Sequence, residues 1–249
     1  MSIYFYSYAS FIAIFLATIL GSGMVFFLRK NISGKTSSII FGFTSGIMLS
    51  ASIFGLIIPS MESSSTYSFS GLPVLTGIIL GSLFLFLIDL ILSNKSKKDN
   101  THIKFFIAVT VHNIPEGFAI GLSYSLALIY NEPAYLASAL SLTLGIGLQN
   151  IPESLATSLT LYEKDIPKFK SFLYGSLSGI VEPIFALVGF YLSTKISFLL
   201  PWLLAFAGGS MIYITIEELV PSIKKNDQSA IGVWSFIIGF CLMIVLETI

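Results

Sequence analysis

Charge and cysteine are what this sequence has least of, and each shortage removes a class of protein. Charged residues fill 10% of the 249 positions and hydrophobic residues 55%, whereas soluble domains carry about 25% charged residues. An ordinary cytosolic domain is excluded. The single cysteine, Cys241, allows neither an intrachain disulfide nor a Cys-x-x-Cys metal site. Formal net charge is zero, and with no basic stripe or recognition motif no nucleic-acid partner is expected. Histidine is nearly absent, with only His102 and His112, so a metal site in this chain must lean on carboxylates and amides. The first 28 residues have no basic n-region, an apolar core too long for a signal peptide and no small-residue cleavage site. They predict a first transmembrane helix that is retained.

Apolar runs are what the chain has in abundance, and mean hydropathy is +0.89. A bilayer-spanning helix needs about 20 mainly apolar residues, and eight stretches qualify, at about 6–28, 37–58, 71–92, 103–127, 135–161, 171–193, 199–221 and 229–249. The connectors are short and polar and leave nothing for a soluble domain. The expected fold is therefore all-α, a polytopic protein of eight transmembrane helices forming one domain over 1–249 in the bilayer of the cell membrane. Short basic loops stay cytoplasmic, and 12 of the 13 basic residues fall in alternate connectors, with only Lys195 on the other side. Arg29, Lys30 and Lys35 open this series, and Lys95, Lys97, Lys98 and Lys104 continue it. Both termini are expected on the outer, extracellular or periplasmic, face.

Against this background a few polar residues stand out. HNIPEGFA at 112–119 and QNIPESLA at 149–156 share Asn, Ile, Pro, Glu and Ala at a constant offset of 37, on the antiparallel fourth and fifth spans. FTSGIM at 43–48 and FAGGSM at 206–211, on the second and seventh spans, repeat more weakly at an offset of 163. Each of these is followed by a Pro-Ser, at Pro59 and Pro221, one residue out of register. Two antiparallel pairs predict inverted repeats, which in transporters place the substrate near the midplane. Recurrence of small residues for helix packing is the competing reading of the weaker pair.

Glu116, Glu153 and Glu182 lie near the middles of their spans. A carboxylate there costs about 2.5 to 3.5 kcal/mol on insertion scales, so it faces the protein interior or a wet path. On a helix His112 shares a face with Glu116, and Asn113 nearly does; Gln149, Asn150 and Glu153 repeat the arrangement. Brought together, these carboxylates, amides and one imidazole make a ligand set for a divalent cation such as Zn²⁺. Pro115 and Pro152 lack an N–H, which frees the carbonyls of Val111 and Leu148. Met48 and Met211 read first as packing residues, with Met48 kept as a further candidate ligand. Asp89 and Glu62, near span ends, read as solvated interfacial carboxylates. For a single motif, interhelical glue is a serious rival, and the duplicate on the next span weakens it.

With GIVEP on the sixth span, these motifs resemble the ZIP (Zrt/Irt-like) divalent metal transporters, in particular the bacterial branch with a short third connector. The resemblance implies uptake of Zn²⁺ into the cytoplasm, with Fe²⁺, Mn²⁺, Co²⁺ and Cd²⁺ as further substrates and no prosthetic group. It implies two adjacent metal positions, the first on His112, Glu116, Gln149 and Glu153 with Met48, the second on Asn113, Asn150, Glu153 and Glu182. Glu153 would then bridge them. It also implies alternating access, with spans one, four, five and six moving against the rest. Divalent metal ions, the lipid bilayer and a second copy of the chain in a homodimer are the partners this reading allows. Gln149 stands where many relatives carry His, a change expected to soften affinity and shift selectivity, and the histidine-rich loop of many eukaryotic members is absent. An intramembrane metal-dependent hydrolase, with zinc activating water, is the alternative from another class, but neither HExxH nor GxSxG is present. A receptor with a purely structural polar cluster is the third reading.

Overall fold

A computed structural model of the chain describes residues 2–28, 33–65, 69, 71–94, 101–225 and 229–248. The first span forms α1 (Ile3–Gly23), started by the Ser2 hydroxyl, which accepts the Phe5 N–H. The second is α2 (Gly34–Ser50), a π-helical stretch Ala51–Ile57 and α3 (Ile58–Ser63). α4 (Gly71–Asn94), α5 (Thr101–Tyr130) and α6 (Pro133–Glu163) follow, and then α7 (Lys168–Ser178) and α8 (Val181–Lys195), which share the sixth stretch. The seventh is α9 (Leu200–Ile214), a second π-helical stretch Thr215–Leu219 and α10 (Val220–Lys225), and α11 (Ile231–Glu247) closes the order. No strand occurs among the described residues. Among the described residues, six helical runs, from Ile3–Phe26 to Leu200–Ile223, are long and apolar enough to cross a membrane. The chain is thus an all-α polytopic membrane protein. Arg29, Lys30, Lys95, Lys97 and Lys98, on which the orientation argument leans, lie outside the described residues.

Beside a buried apolar core, large apolar side chains also cover the outside and small polar ones lie inside. Leu72, Leu75, Ile79 and Leu83 of α4 are exposed, while Ser7, Ser45, Ser125, Ser158 and Ser210 are buried. In lipid, apolar surface gains nothing by turning inward, so helices associate through close backbone approach at small residues. The pairings follow from that. α2 packs on α11, α4 on α9, α5 on α8, and α1 on α6. Gly46 and Gly209, the positions related by the offset of 163, do the same work in two of these pairs. A Cβ on Gly46 would lie 2.1 Å from the Phe236 carbonyl oxygen, and one on Gly209 would lie 2.4 Å from that of Ile78. Pro59 and Pro221 each follow a π-helical stretch, so the one-residue slip between them falls where the helix is already overwide.

Candidate metal site at the crossing of three helices

Two glycines inside HNIPEGFAIG bring α5 and α8 into backbone contact. A Cβ on Gly117 would sit 2.2 Å from the Glu182 carbonyl oxygen, and one on Gly121 would sit 2.0 Å from that of Ala186. Spaced by four, they form the small-xxx-small face of a membrane helix. The approach carries Asn113, one turn before Gly117, to the Glu182 side chain. α6 meets α1 in the same manner, since a Cβ on Gly21 would lie 2.1 Å from the Ile151 carbonyl oxygen.

The sixth stretch differs from the continuous helix expected over 171–193. It breaks at Gly179 and Ile180, between α7 and α8. Pro183 has no N–H to offer Gly179, whose carbonyl accepts from the Glu182 N–H instead at 3.1 Å. Glu182 consequently falls in the first turn of α8, where the helix dipole favours a carboxylate.

These contacts assemble two polar groups. In the first, Gln149 Nε2 donates to Glu116 Oε1 at 2.8 Å, and His112 Nε2 stands 3.9 Å from Asp89 Oδ1 of α4. In the second, Glu182 Oε1 accepts from Asn113 Nδ2 at 3.2 Å and from the Thr18 hydroxyl at 3.1 Å, while Oε2 accepts from Asn150 Nδ2 at 2.7 Å. Glu153 joins the two groups. It lines a small cavity of about 10 Å³ with Thr18, Asn113, Asn150 and Glu182, and also a larger one of about 160 Å³ with His112, Thr157, Thr160 and Ser222. The small cavity has room for about one water-sized sphere.

His112, Asn113, Glu116, Gln149, Asn150 and Glu182 are all buried. Among the described residues, Glu116 Oε2, Gln149 Oε1 and Asn150 Oδ1 are buried with no hydrogen-bond partner. All three are acceptors with no donor facing them, and a buried polar oxygen without a partner costs about 1–3 kcal/mol. An amide also has one donor end and one acceptor end, so rotation of Asn113, Gln149 or Asn150 would replace a hydrogen bond to a carboxylate with an oxygen aimed at a cation. No three His, Cys, Asp or Glu side chains among the described residues converge closely enough to hold a metal ion.

Seven of the eight candidates, His112, Asn113, Glu116, Gln149, Asn150, Glu153 and Glu182, line these groups. Met48 is buried in the apolar core and lines neither cavity. Two residues were not legible as site residues. Asp89 faces His112 rather than only solvent, and Thr18 enters from α1. A hydroxyl in the middle of an apolar helix was the one signal for Thr18, and it is shared by many packing serines and threonines.

A family model described as ZIP Zinc transporter matches residues 94–247. The chain is 32% identical over 208 residues to the zinc transporter GufA of Myxococcus xanthus, an alignment covering 78% of this chain and 79% of that protein. It is 31% identical over 248 residues to the zinc transporter ZIPB of Bordetella bronchiseptica, covering 94% and 78%. To the zinc transporter ZupT of Chlorobaculum parvum it is 26% identical over 261 residues, covering 92% of each.

Proposed function

Because the chain belongs to the ZIP zinc transporter family, we propose that it carries Zn²⁺ across the cell membrane into the cytoplasm through the site between α5, α6 and α8. It is a multi-pass membrane transporter and not an enzyme, so the hydrolase reading falls. One observation carries the site assignment: the three buried side-chain oxygens without a donor, on Glu116, Gln149 and Asn150, cluster where two repeated motifs meet.

The reading assigns two metal positions. His112, Glu116, Gln149 and Glu153 hold the first, with Met48 as a further ligand after a local rearrangement. Asn113, Asn150, Glu153 and Glu182 hold the second, and Glu153 bridges. Zn²⁺ takes imidazole nitrogen and carboxylate oxygen at about 2.0 to 2.2 Å, and the same borderline donor set extends to Fe²⁺, Mn²⁺, Co²⁺ and Cd²⁺. In our reading eight spans form one domain over 1–249, with inverted repeats and both termini outside. The larger cavity, reaching Thr160 and Ser222 near the basic connectors, is then the inward route of an alternating-access cycle. Lipid surrounds the exposed face of α4, and a homodimer is compatible with that arrangement.

The test is Zn²⁺ uptake into proteoliposomes loaded with a zinc-sensitive dye, for the wild-type chain and Glu153→Ala. Wild type is expected to fill the vesicles and the variant to lose nearly all uptake. Absence of uptake by the wild type overturns the transport reading; equal uptake by Glu153→Ala overturns the site assignment.

A further inference from the structure

Thr18 lies on α1, outside both repeated motifs, and is 2% exposed. Its hydroxyl is 3.1 Å from Glu182 Oε1, as donor, and accepts from Asn150 Nδ2 at 3.2 Å. The Ile14 carbonyl, at 3.3 Å, competes for the hydroxyl hydrogen, since a hydroxyl has only one to give. Packing holds Thr18 in place. A Cβ on Gly179 would stand 2.6 Å from Thr18 Cγ2 and 2.9 Å from its Oγ1, so the break between α7 and α8 is shaped around this side chain. Thr18 also lines the small cavity that holds Asn113, Asn150, Glu153 and Glu182.

The position has a counterpart. Asn113 and Asn150 are equivalent members of the two motifs. The Asn113 amide bonds Glu182 on α8, the helix packed on α5. The Asn150 amide bonds Thr18 on α1, the helix packed on α6. Thr18 therefore stands to Asn150 as Glu182 stands to Asn113, and the site has four walls rather than three.

We propose that Thr18 is a positioning residue of the second metal position, holding Glu182 and Asn150 so that the Asn150 Oδ1 oxygen, which has no hydrogen-bond partner among the described residues, faces the transported ion. The inference rests on the transport reading above. Without the hydroxyl, Glu182 Oε1 keeps the Asn113 amide and the Asn150 amide loses one of its two acceptors, Thr18, and keeps Glu182 Oε2. Both ligands then gain rotational freedom that metal binding must remove.

The experiment measures Zn²⁺ uptake against external Zn²⁺ in proteoliposomes for wild type, Thr18→Val, Thr18→Ser and Gly179→Ala, and for Thr18→Val combined with Glu182→Gln. Thr18→Val keeps the shape and removes the hydroxyl; it is expected to raise the half-saturating Zn²⁺ about tenfold. Thr18→Ser is expected to stay within about twofold of wild type, and on Glu182→Gln the Val substitution should add little. Gly179→Ala pushes a methyl into Thr18 and should reproduce the Val effect, which decides the matter if Thr18→Val does not fold. Wild-type half-saturation in Thr18→Val, a Ser variant as impaired as Val, or a full additional loss on Glu182→Gln overturns the proposal. A wild-type chain that moves no Zn²⁺ overturns the transport reading instead, and the two failures are distinguishable.

Discussion

Gln149 donates its Nε2 hydrogen to Glu116 Oε1 at 2.8 Å, joining the equivalent faces of HNIPE and QNIPE across α5 and α6. The contact ties up the donor end of the amide and leaves Gln149 Oε1 buried without a partner. An imidazole at this position would offer a nitrogen better matched to zinc than an amide oxygen. Gln149→His is expected to lower the Kd for Zn²⁺ about tenfold, which is about 1.4 kcal/mol. Competitive titration of the purified protein with a zinc chelator checks it; an unchanged or weaker Kd rejects Gln149 as a ligand position.

Asp89 and His112 make the next prediction. The carboxylate stands 3.9 Å from His112 Nε2, close enough to orient the ring, and loss of such an outer partner of a metal-bound histidine costs roughly 10- to 100-fold in affinity. At this longer separation Asp89→Asn is expected near the lower limit, about a tenfold rise in half-saturating Zn²⁺, with the melting temperature in detergent unchanged. A matching loss in His112→Ala that does not add to Asp89→Asn would place both residues in one unit.

Acid should weaken binding. Carboxylates and imidazole ligate only when deprotonated, and an unperturbed histidine titrates near pH 6.5. Because protons compete with the metal, Zn²⁺ affinity is expected to fall as pH drops from about 7.5 to about 5.5. Titration calorimetry at several pH values measures this. The slope should be shallower in His112→Gln; identical slopes would remove His112 from the ligand set.

Gly117 and Gly147 give a structural contrast on adjacent helices. A Cβ on Gly117 would meet the Glu182 carbonyl oxygen at 2.2 Å, whereas one on Gly147 meets nothing within 4 Å. Overpacking costs about 1–3 kcal/mol or more, and backbone cannot turn aside as a side chain can. Gly117→Ala is expected to lower the melting temperature and abolish uptake by separating Asn113 from Glu182, while Gly147→Ala should leave the melting temperature within error of wild type. Thermal unfolding in detergent, with uptake measured in parallel, decides.

Much of this molecule was legible in its residues, and the misses have physical causes. The helical spans were readable because each must satisfy its own backbone hydrogen bonds in lipid, and His112, Glu116 and Glu153 with their amide neighbours were readable because polar groups there are costly and were written twice. Glu182 stands out in the sequence as a candidate ligand, but in a stretch that reads as one unbroken helix. Its setting, the first turn of α8, follows from the missing Pro183 N–H, which leaves the Gly179 carbonyl to the Glu182 N–H. Nothing in the sequence marks Gly117 and Gly121 as the surface that seats α8. Asp89 was read as interfacial because nothing local reports which helix lies across from it.

The sequence by itself determined an all-α membrane protein and singled out the costly polar residues proposed as its metal site, since insertion costs and helical periodicity act on neighbours along the chain. Only the tertiary structure decided that Asn113 meets Glu182, that Asp89 faces His112, and that Thr18 enters from the first helix. Those contacts are set by how closely backbones approach at glycines far apart in the chain, and in a membrane, where apolar surface does not drive helices together, that approach depends on the whole set of packed helices at once.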